Sequence, residues 1–500
     1  MKLCELFGRA ELEYPPALGD LEITNIATDS RSVSKGSLFI CVRGARSDGH
    51  EFAVEAIRKG ASVIVAEQVC DECVGGAAAW IMLKNTRNAA ALLYNAWYNN
   101  PVGRLKIIGV TGTNGKTSVT SLLRELLEAW GKRCGVIGTV ECRSAGGRML
   151  SLRGSDPLAN MTTPDPEVLY AMLAEMAADG AEYVVMEVSS HALALSRVDA
   201  IEFRWAVFTN LTEDHLDFHG TMEEYYRAKR LLFQRCRGAV LCIDDPYVRR
   251  LAEELTIPFL TCSTVEGDFC ALHRESMGMK GSRFLFKTPA GCYPARLSIP
   301  GNFSIINATM AAAVAMGEGM APERILRVLE KTSGVTGRME QVRFEPPANF
   351  SAVIDYAHTP DALEKILKTL LPLRAGGGRL LLLFGCGGDR DRGKRERMGR
   401  IASAYSDFVI VTSDNPRGEA REEILSAVLR GIDKEKPYVV IADRREAIEY
   451  AVSVAKEGDI LLLAGKGHER YEINERGRIP FDEREILREA YRKRTEKQQK

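Results

Sequence analysis

No charge of either sign dominates this sequence: 67 lysines and arginines stand against 67 aspartates and glutamates. That balance removes the basic surplus on which a nucleic-acid surface draws, so no nucleic-acid partner is expected. No run approaches the ~18–20 apolar residues of a membrane-spanning helix. The first residues, Met1-Lys-Leu-Cys-Glu-Leu-Phe-Gly-Arg-Ala, hold too short an apolar stretch for a secretion signal. No membrane partner is expected either. The twelve cysteines follow no repeating framework, and the one close pair, Cys70 and Cys73, has no second pair at zinc spacing. Metal and redox roles are therefore disfavoured for them, and a reduced, cytoplasmic compartment fits better than a secreted one. Histidine is scarce, at seven residues, and no internal repeat is found.

What is present is ordinary globular chemistry: 500 residues, 45% apolar and 27% charged, enough for roughly two to four domains with full cores. Three α/β regions follow one another. The first, residues 1–103, alternates short strands (Ser37–Val42, Ala61–Ala66) with helical stretches. It closes on a helix over Arg87–Tyr98 and the turn at Asn99-Asn-Pro101. The second, 104–337, carries apolar runs at Glu182–Val188 and Arg204–Thr209 without polar alternation, as strands covered on both faces require. An alanine-rich helix at Asn307–Met316 follows, and Ser333-Gly-Val-Thr-Gly-Arg338 reads as the exit linker. The third, 338–500, has strands at Ser351–Asp355, Arg379–Phe384, Asp407–Thr412 and Asp459–Ala464, and a basic tail that reads as a solvated helix end.

The most informative segment is Gly109-Val-Thr-Gly-Thr-Asn-Gly-Lys-Thr117, directly behind the apolar run Leu105–Val110. A strand that turns through glycines into a helix aims backbone N–H groups at an anion. Lys116 then reaches the terminal phosphates, and the Thr117 hydroxyl is placed for Mg²⁺. The loop departs from the usual G-x-x-x-x-G-K-[ST] spacing, because Val110 stands five residues before Gly115. A glycine turn that binds nothing is the alternative. ATP or GTP binding is the stronger reading.

Other candidates cluster where strands end, as ligand sites of open α/β sheets do. Glu187 closes a buried strand, where a carboxylate is costly without a cation. Magnesium binding and a hydrogen-bonded cap are both open. The segment Thr209–Gly220 holds His215 and His219 among three acids; zinc is a weaker option there, because no cysteine or third histidine stands nearby in sequence. Lys229, in the helix Met222–Phe233, reads as an exposed helical charge. Phe384-Gly-Cys-Gly-Gly-Asp-Arg390 invites a dinucleotide reading, but Arg390 occupies the position a third glycine would need. Arg390 to Arg397 reads as a cationic loop and helix start, or a solvated charge run. Ser413-Asp-Asn-Pro-Arg-Gly418 forms a turn in which Arg417 offers a fork for a carboxylate. Ala464-Gly-Lys-Gly-His-Glu469 closes a third strand with a base and an acid between glycines. Opposite charges on several strand ends suggest a zwitterionic ligand.

These segments, with Glu187-Val-Ser-Ser-His191, Asp355-Tyr-Ala-His-Thr-Pro-Asp-Ala-Leu363 and Asp414-Asn-Pro-Arg417, together resemble the Mur ligase family of peptidoglycan synthesis. Within it they are similar to the branch that adds meso-2,6-diaminopimelate. The resemblance runs through all three regions in order. It implies a smaller α/β N-terminal domain (1–103) for a UDP-sugar substrate and a central P-loop ATPase domain (104–337) with a mainly parallel sheet. A Rossmann-like C-terminal domain (338–500) would take the amino acid.

The resemblance also implies roles. ATP would be held by Gly112, Thr113, Asn114, Gly115, Lys116, Thr117 and Ser118, with Asn302, Arg338, Asp355 and His358 closing over the nucleotide. Two Mg²⁺ ions would be bound, one by Thr117 and Glu187, the other by His215 and a carbamylated Lys229; Lys116, Glu187, His215 and Lys229 would form the catalytic set. UDP-N-acetylmuramoyl-L-alanyl-D-glutamate would meet Thr28, Ser30, Ala45, Arg46 and Ser47 with its nucleotide-sugar part, and Thr162, Thr163, Ser189 and Arg197 with its peptide. Diaminopimelate would meet Arg390, Asp414, Asn415, Pro416, Arg417, Gly465 and Glu469. Two departures stand out: Leu195 replaces a glutamine common in the family, and the 45–47 loop is not a close match.

The implied chemistry is ATP-driven amide formation through an acyl phosphate in a cytoplasmic, monomeric enzyme, with closure of the last domain excluding water. Competing readings are a lysine-adding sister ligase, a folylpolyglutamate synthetase and a nucleotide switch or transport ATPase. A folate enzyme would lack a separate UDP-binding region ahead of the loop. A switch would leave the Asp-Asn-Pro-Arg turn without a purpose.

Overall fold

The computed structural model describes residues 1–44, 47–69, 78–150, 162–374 and 376–498. The chain forms two compact units, Met1–Cys262 with Met310–Gly319, and Ser263–Thr309 with Met320–Lys500. The pair Cys70 and Cys73 and the loop residues Ala45 and Arg46 lie outside the described residues.

The first unit opens with a small, wholly parallel sheet in the order β1-β2-β3-β4 (Asn25–Ala27, Ser37–Ile40, Val63–Ala66, Ala79–Met82). Every residue of β2 and β3 is buried. The helix expected near Arg87 spans Thr86–Trp97 and starts at Asn85, whose side chain accepts from the Asn88 N–H, satisfying one of the donors a helix start leaves unpaired.

The larger sheet of this unit has β5 (Lys106–Thr111), β6 (Cys134–Ile137), β7 (Cys142–Arg143), β8 (Tyr183–Glu187), β9 (Trp205–Phe208), β10 (Ala239–Cys242) and β11 (Phe259–Ser263). Their order is β11-β10-β9-β5-β8-β6-β7, parallel throughout except β7. Strand β8 is buried along its whole length, which explains its unbroken apolar run. Each such Val or Met side chain contributes roughly 1.5–3 kcal/mol by leaving water. Register pairs Val110 with Glu187 and Thr111 with Phe208. The carboxyl ends of β8, β5 and β9 therefore stand side by side, and the loops that leave them share one edge.

The second unit contains an antiparallel meander, β12 (Phe269–Ser276), β13 (Ser282–Thr288) and β14 (Gly291–Leu297), that the sequence reading did not resolve. Its main sheet has β15 (Glu340–Val342), β16 (Ser351–Asp355), β17 (Leu380–Phe384), β18 (Phe408–Val411), β19 (Tyr438–Val440) and β20 (Ile460–Ala464) in the order β15-β16-β20-β17-β18-β19. All neighbours but β15 and β16 run parallel. Leu380, Leu382 and Phe384 pack into one core and Leu381 and Leu383 into the other, so the sheet is covered on both faces. Asp355, Ala464, Phe384 and Val411 form one row across the strand ends. A hairpin, β21 (Tyr471–Asn474) and β22 (Gly477–Pro480), and the helix Glu483–Gln498 complete the unit. The segment Ser333–Arg338 is an irregular stretch between the helix Pro322–Lys331 and β15. Among the described residues, no helix is long and apolar enough to cross a membrane.

Candidate active site

The loop after β5 has the geometry its sequence implies. Gly112 and Gly115 lie at φ +142° and +89°, and a Cβ on Gly112 would collide with the Thr209 hydroxyl, so only glycine fits there. The helix Lys116–Ala129 begins directly behind. Asn210 pins the loop from the next strand end: its Oδ1 accepts from the Asn114 N–H at 3.0 Å and its Nδ2 donates to the Asn114 carbonyl at 3.0 Å. Lys116 Nζ donates to the carbonyls of Gly112 and Thr113 at 2.8 and 2.9 Å. Ser118 continues the first turn of the helix.

Lys229 corrects the sequence reading. It is 1% exposed, not a solvated helical charge, because it shares a helix face with Tyr225, four residues before it and equally buried. Its Nζ donates to the same Gly112 carbonyl at 2.9 Å and lies 4.7 Å from the centre of the Tyr225 ring. Burial, reinforced by the charge of Lys116, pushes its pKa well below that of an ordinary lysine. Its uncharged form is thereby favoured.

Three histidines gather beside it: His191 lies with ring centres 4.9 Å from His215 and 5.5 Å from His219. Burial lowers all three, His191 and His219 to about 4, so they are neutral at pH 7. The zinc option at His215 and His219 gains no ligand set: no group of three His, Cys, Asp or Glu side chains suited to a metal converges among the described residues. A magnesium site is less demanding, needing one or two side chains with substrate phosphates and water. The Thr117 hydroxyl makes no hydrogen bond among the described residues, and Glu187 sits 1% exposed, so both are chemically suited to that cation.

Glu187 is held by a residue that sequence reasoning overlooked. Its carboxylate accepts from the N–H and hydroxyl of Thr139 at 2.8 and 3.1 Å. The Thr139 hydroxyl, its proton given to Glu187, accepts from the Thr162 hydroxyl at 3.1 Å. Thr163 donates to the Glu187 carbonyl at 2.9 Å and accepts from the Ser189 N–H at 3.0 Å. Arg197 donates to the Thr163 carbonyl and pairs with Asp165, both at 2.9 Å. Thr162, Thr163, Ser189 and Arg197 thus gather around Glu187 in one network. Thr139 stands just beyond a strand end, the one signal that could have found it.

In the N-terminal region, the Ser30 hydroxyl donates to Glu55 at 3.0 Å and Thr28 is half-buried beside it. Ser47 is exposed.

The second unit holds two further groups. Asp355 accepts from the N–H groups of Met339 and Ala357, each at 2.8 Å; burial raises its pKa against the pull of Arg338. The Arg338 guanidinium stacks 4.7 Å from the Tyr356 ring, and its Nε is buried without a partner among the described residues, an opening for an anion. The His358 ring centre lies 4.6 Å from that of Tyr356. Asn302 begins a helix on exposed surface, and among the described residues no hydrogen bond of its side chain ties it into this group.

The last group unites three strand ends. Arg417, at φ +53°, donates through Nη1 to the Gly388 carbonyl at 2.9 Å, leaving the other guanidinium nitrogens unbonded among the described residues. Asn415 donates to Glu469 at 2.8 Å. A Cβ on Gly465 would stand 2.6 Å from the Asp414 carboxylate, so the two loops touch backbone to side chain. Pro416 carries its carbonyl against Gly388. Burial, then the charge of Asp414, raises the Glu469 pKa. Arg390 is exposed at the rim. The charge run after it is only partly solvated: Arg395 is 3% exposed and chelates Glu419 at 2.9 and 3.0 Å.

Comparison with known proteins places the whole chain in one family. Family models described as Mur ligase family, catalytic domain, as Mur ligase middle domain, and as Mur ligase, glutamate ligase domain match residues 22–98, 110–315 and 337–467. The chain is 41% identical over 499 residues to the UDP-N-acetylmuramoyl-L-alanyl-D-glutamate--2,6-diaminopimelate ligase of Syntrophomonas wolfei, covering 98% of this chain and 99% of that one. It is equally 41% identical over 504 residues to the protein of that name from Geobacillus kaustophilus, covering 99% and 100%. A solved structure of a ligase with this name superposes with a TM-score of 0.70 at 32% identity, covering 99% of this chain and 100% of that chain.

Proposed function

The chain belongs to the Mur ligase family, and from that premise we propose how its residues carry out the family's chemistry. It is an ATP-dependent amide ligase that adds meso-2,6-diaminopimelate to the D-glutamyl γ-carboxylate of UDP-N-acetylmuramoyl-L-alanyl-D-glutamate, releasing ADP and phosphate, in peptidoglycan biosynthesis. Residues 1–103 take the UDP-sugar, 104–337 the ATP and 338–500 the amino acid. The enzyme acts as a monomer in the cytoplasm, where ATP and the reduced thiols are kept.

A carboxylate is a poor acyl donor, so the γ-phosphoryl of ATP first passes to it and makes an acyl phosphate. Backbone N–H groups of Gly112–Ser118 cradle the phosphates at the helix start, and Lys116 leaves its two carbonyl partners to hold the β- and γ-oxygens. Two magnesium ions, one on Thr117 and Glu187 and one on His215 and carbamylated Lys229, would neutralise charge on the transferring group. Support for the carbamate is the buried, depressed amine of Lys229. An uncharged amine attacks CO₂, and the nitrogen loses a proton as the anionic carbamate forms.

Arg197, with Thr162, Thr163 and Ser189, orients the peptide so that its γ-carboxylate faces the phosphate. Thr28, Ser30 and the loop 45–47 hold the uridine end. Asn302, Arg338, Asp355 and His358 are the further residues assigned to the nucleotide. On the acceptor, Arg417 and Arg390 pair with carboxylates and Glu469 with the ammonium group remote from the reacting amine. The other amine attacks the acyl carbon, the C–O bond to phosphate breaks, and the amide remains.

The observation that carries the acceptor assignment is the meeting of Asp414–Arg417 with Gly465–Glu469, acids and a partly engaged arginine fork on the ends of β18 and β20, with the end of β17 between them. The test is a coupled assay of ADP release. Turnover should require both the UDP-muramoyl dipeptide and meso-diaminopimelate, with the tripeptide product identified by mass. Turnover without either substrate, or with L-lysine preferred, overturns the reading.

A further inference from the structure

Lys466 is 0% exposed, behind the residues assigned to the acceptor. A buried ammonium is tolerated only where its donors are satisfied, and here the partners are specific. Its Nζ donates to Asn415 Oδ1 and to the Tyr471 carbonyl, each at 2.9 Å, and stands 3.9 Å from Glu469 Oε2. Asn415 Oδ1 also accepts from the Ile473 N–H at 2.9 Å. Neither an ammonium nor a backbone N–H can accept, so both lone pairs of that oxygen face obligatory donors and the amide cannot turn over. Asn415 Nδ2 must therefore point the other way, and it donates to Glu469 Oε2 at 2.8 Å. The second oxygen of Glu469 is left without a hydrogen bond among the described residues.

We propose that Lys466 is a positioning residue for the acceptor amino acid, fixing the Asn415 amide and through it presenting the free oxygen of Glu469 to the substrate's remote ammonium. The inference rests on the acceptor assignment above and adds a member to it. The charge of Lys466 does a second job. The groups that act on Glu469 are Asp414, Lys466, Asn415, Arg417 and the neighbouring Tyr356. Burial and Asp414 favour its protonated form, while Lys466, the hydrogen bond from Asn415 and Arg417 hold it ionised. Without Lys466 the carboxyl takes up a proton at higher pH and loses its hold on a cation.

The test uses the full chain carrying Lys466→Met, which keeps the stem and removes the ammonium. KM for meso-diaminopimelate, ATP and the UDP-muramoyl dipeptide is measured from pH 6 to 9. The acceptor KM should rise about tenfold or more while the other two stay within about twofold, and the acid limb of the acceptor kcat/KM should move to higher pH. Should Lys466→Met not fold, Asn415→Asp replaces it. Its carboxylate still pairs with Lys466 but cannot donate to Glu469, so the same acceptor-selective rise and acid shift are expected. An unchanged acceptor KM, or a uniform loss in all three substrates without a shift of the acid limb, overturns the proposal. If native enzyme does not use meso-diaminopimelate at all, it is the acceptor assignment that falls. If native enzyme uses it and both variants behave like native, only the role of Lys466 falls.

Discussion

Lys116 and Lys229 donate to one and the same acceptor, the carbonyl of Gly112, at 2.8 and 2.9 Å. Two ammonium groups meeting on a single dipole repel each other, and Lys116 contributes to the depressed pKa of Lys229. The pair thus divides the work. Lys116 stands at the start of a helix next to the glycines, while burial and the neighbouring Lys116 drive Lys229 toward the neutral amine.

That division predicts a dependence on carbon dioxide. Enzyme prepared and assayed in CO₂-depleted buffer should lose most of its turnover, and bicarbonate should restore it. Lys229→Ala should fall by about a hundredfold or more, with partial recovery in acetate or formate, since a metal-held carboxylate's electrostatic contribution is worth several kcal/mol. Because the amine must be uncharged to react, restoration by bicarbonate should weaken as pH drops through the lowered Lys229 pKa. Full activity of Lys229→Ala without added carboxylate removes the carbamate from the mechanism.

Acceptor choice should reside in Arg417. Diaminopimelate exceeds lysine by one carboxylate, and losing a buried charge-assisted pair costs about 2–5 kcal/mol, roughly thirty- to several-thousand-fold. Arg417→Ala should lose that factor in kcat/KM for meso-diaminopimelate while L-lysine, already poor, changes little. Competition assays with both acceptors read this directly. Equal loss for the two amino acids would mean that Arg417 serves only the carbonyls of Gly388 and Asn415 that it touches at 2.9 and 3.4 Å.

Thr139 should control magnesium use. Its hydroxyl is one of two donors to Glu187, and a hydrogen bond to a charged group is worth about 1.5–3 kcal/mol. Thr139→Val should raise the Mg²⁺ concentration for half-maximal turnover by about tenfold or more, with little change in thermal midpoint, and chelation of the metal should stop turnover in both proteins. An identical Mg²⁺ titration separates Glu187 from the metal.

The chelate between Arg395 and Glu419 should matter to stability instead. Hydrogen bonds from Arg395 pull the Glu419 pKa from 4.5 to about 2. A depressed carboxylate stabilises the fold above its unfolded pKa, and that contribution fades as pH falls from about 4.5 toward 2. Arg395→Met leaves Glu419 with only the exposed Arg392 at 3.2 Å and the Asp389 N–H, and should lower stability in urea unfolding at pH 7 by about 1–3 kcal/mol. Glu419→Gln should flatten the loss of stability between those two pH values. A native-like slope in Glu419→Gln contradicts the assignment.

Short-range chemistry was legible in the sequence. The strand–glycine–lysine order at Leu105–Thr117, the unbroken apolar runs and the motifs at strand ends depend on neighbours within a few residues, and the structure returns them nearly residue for residue. Glu187 and the Thr162–Thr163 pair were legible as separate candidates, but not the Thr139 side chain that joins them. The antiparallel meander β12–β14 escaped because exposed, alternating charged positions dilute its apolar signal.

By itself the sequence determined the α/β rhythm, a glycine loop between strand and helix that ends in Lys116, and three polar motifs at strand ends, because helix and strand periods and glycine turns are written locally. Tertiary structure alone decided which polar groups are buried and with whom. Lys229 becomes a buried amine only when its helix packs 117 residues away against Gly112. Lys466 meets Asn415 across 51 residues. Burial sets the free energy of a charge, and burial is a property of the packed chain, not of any segment of it.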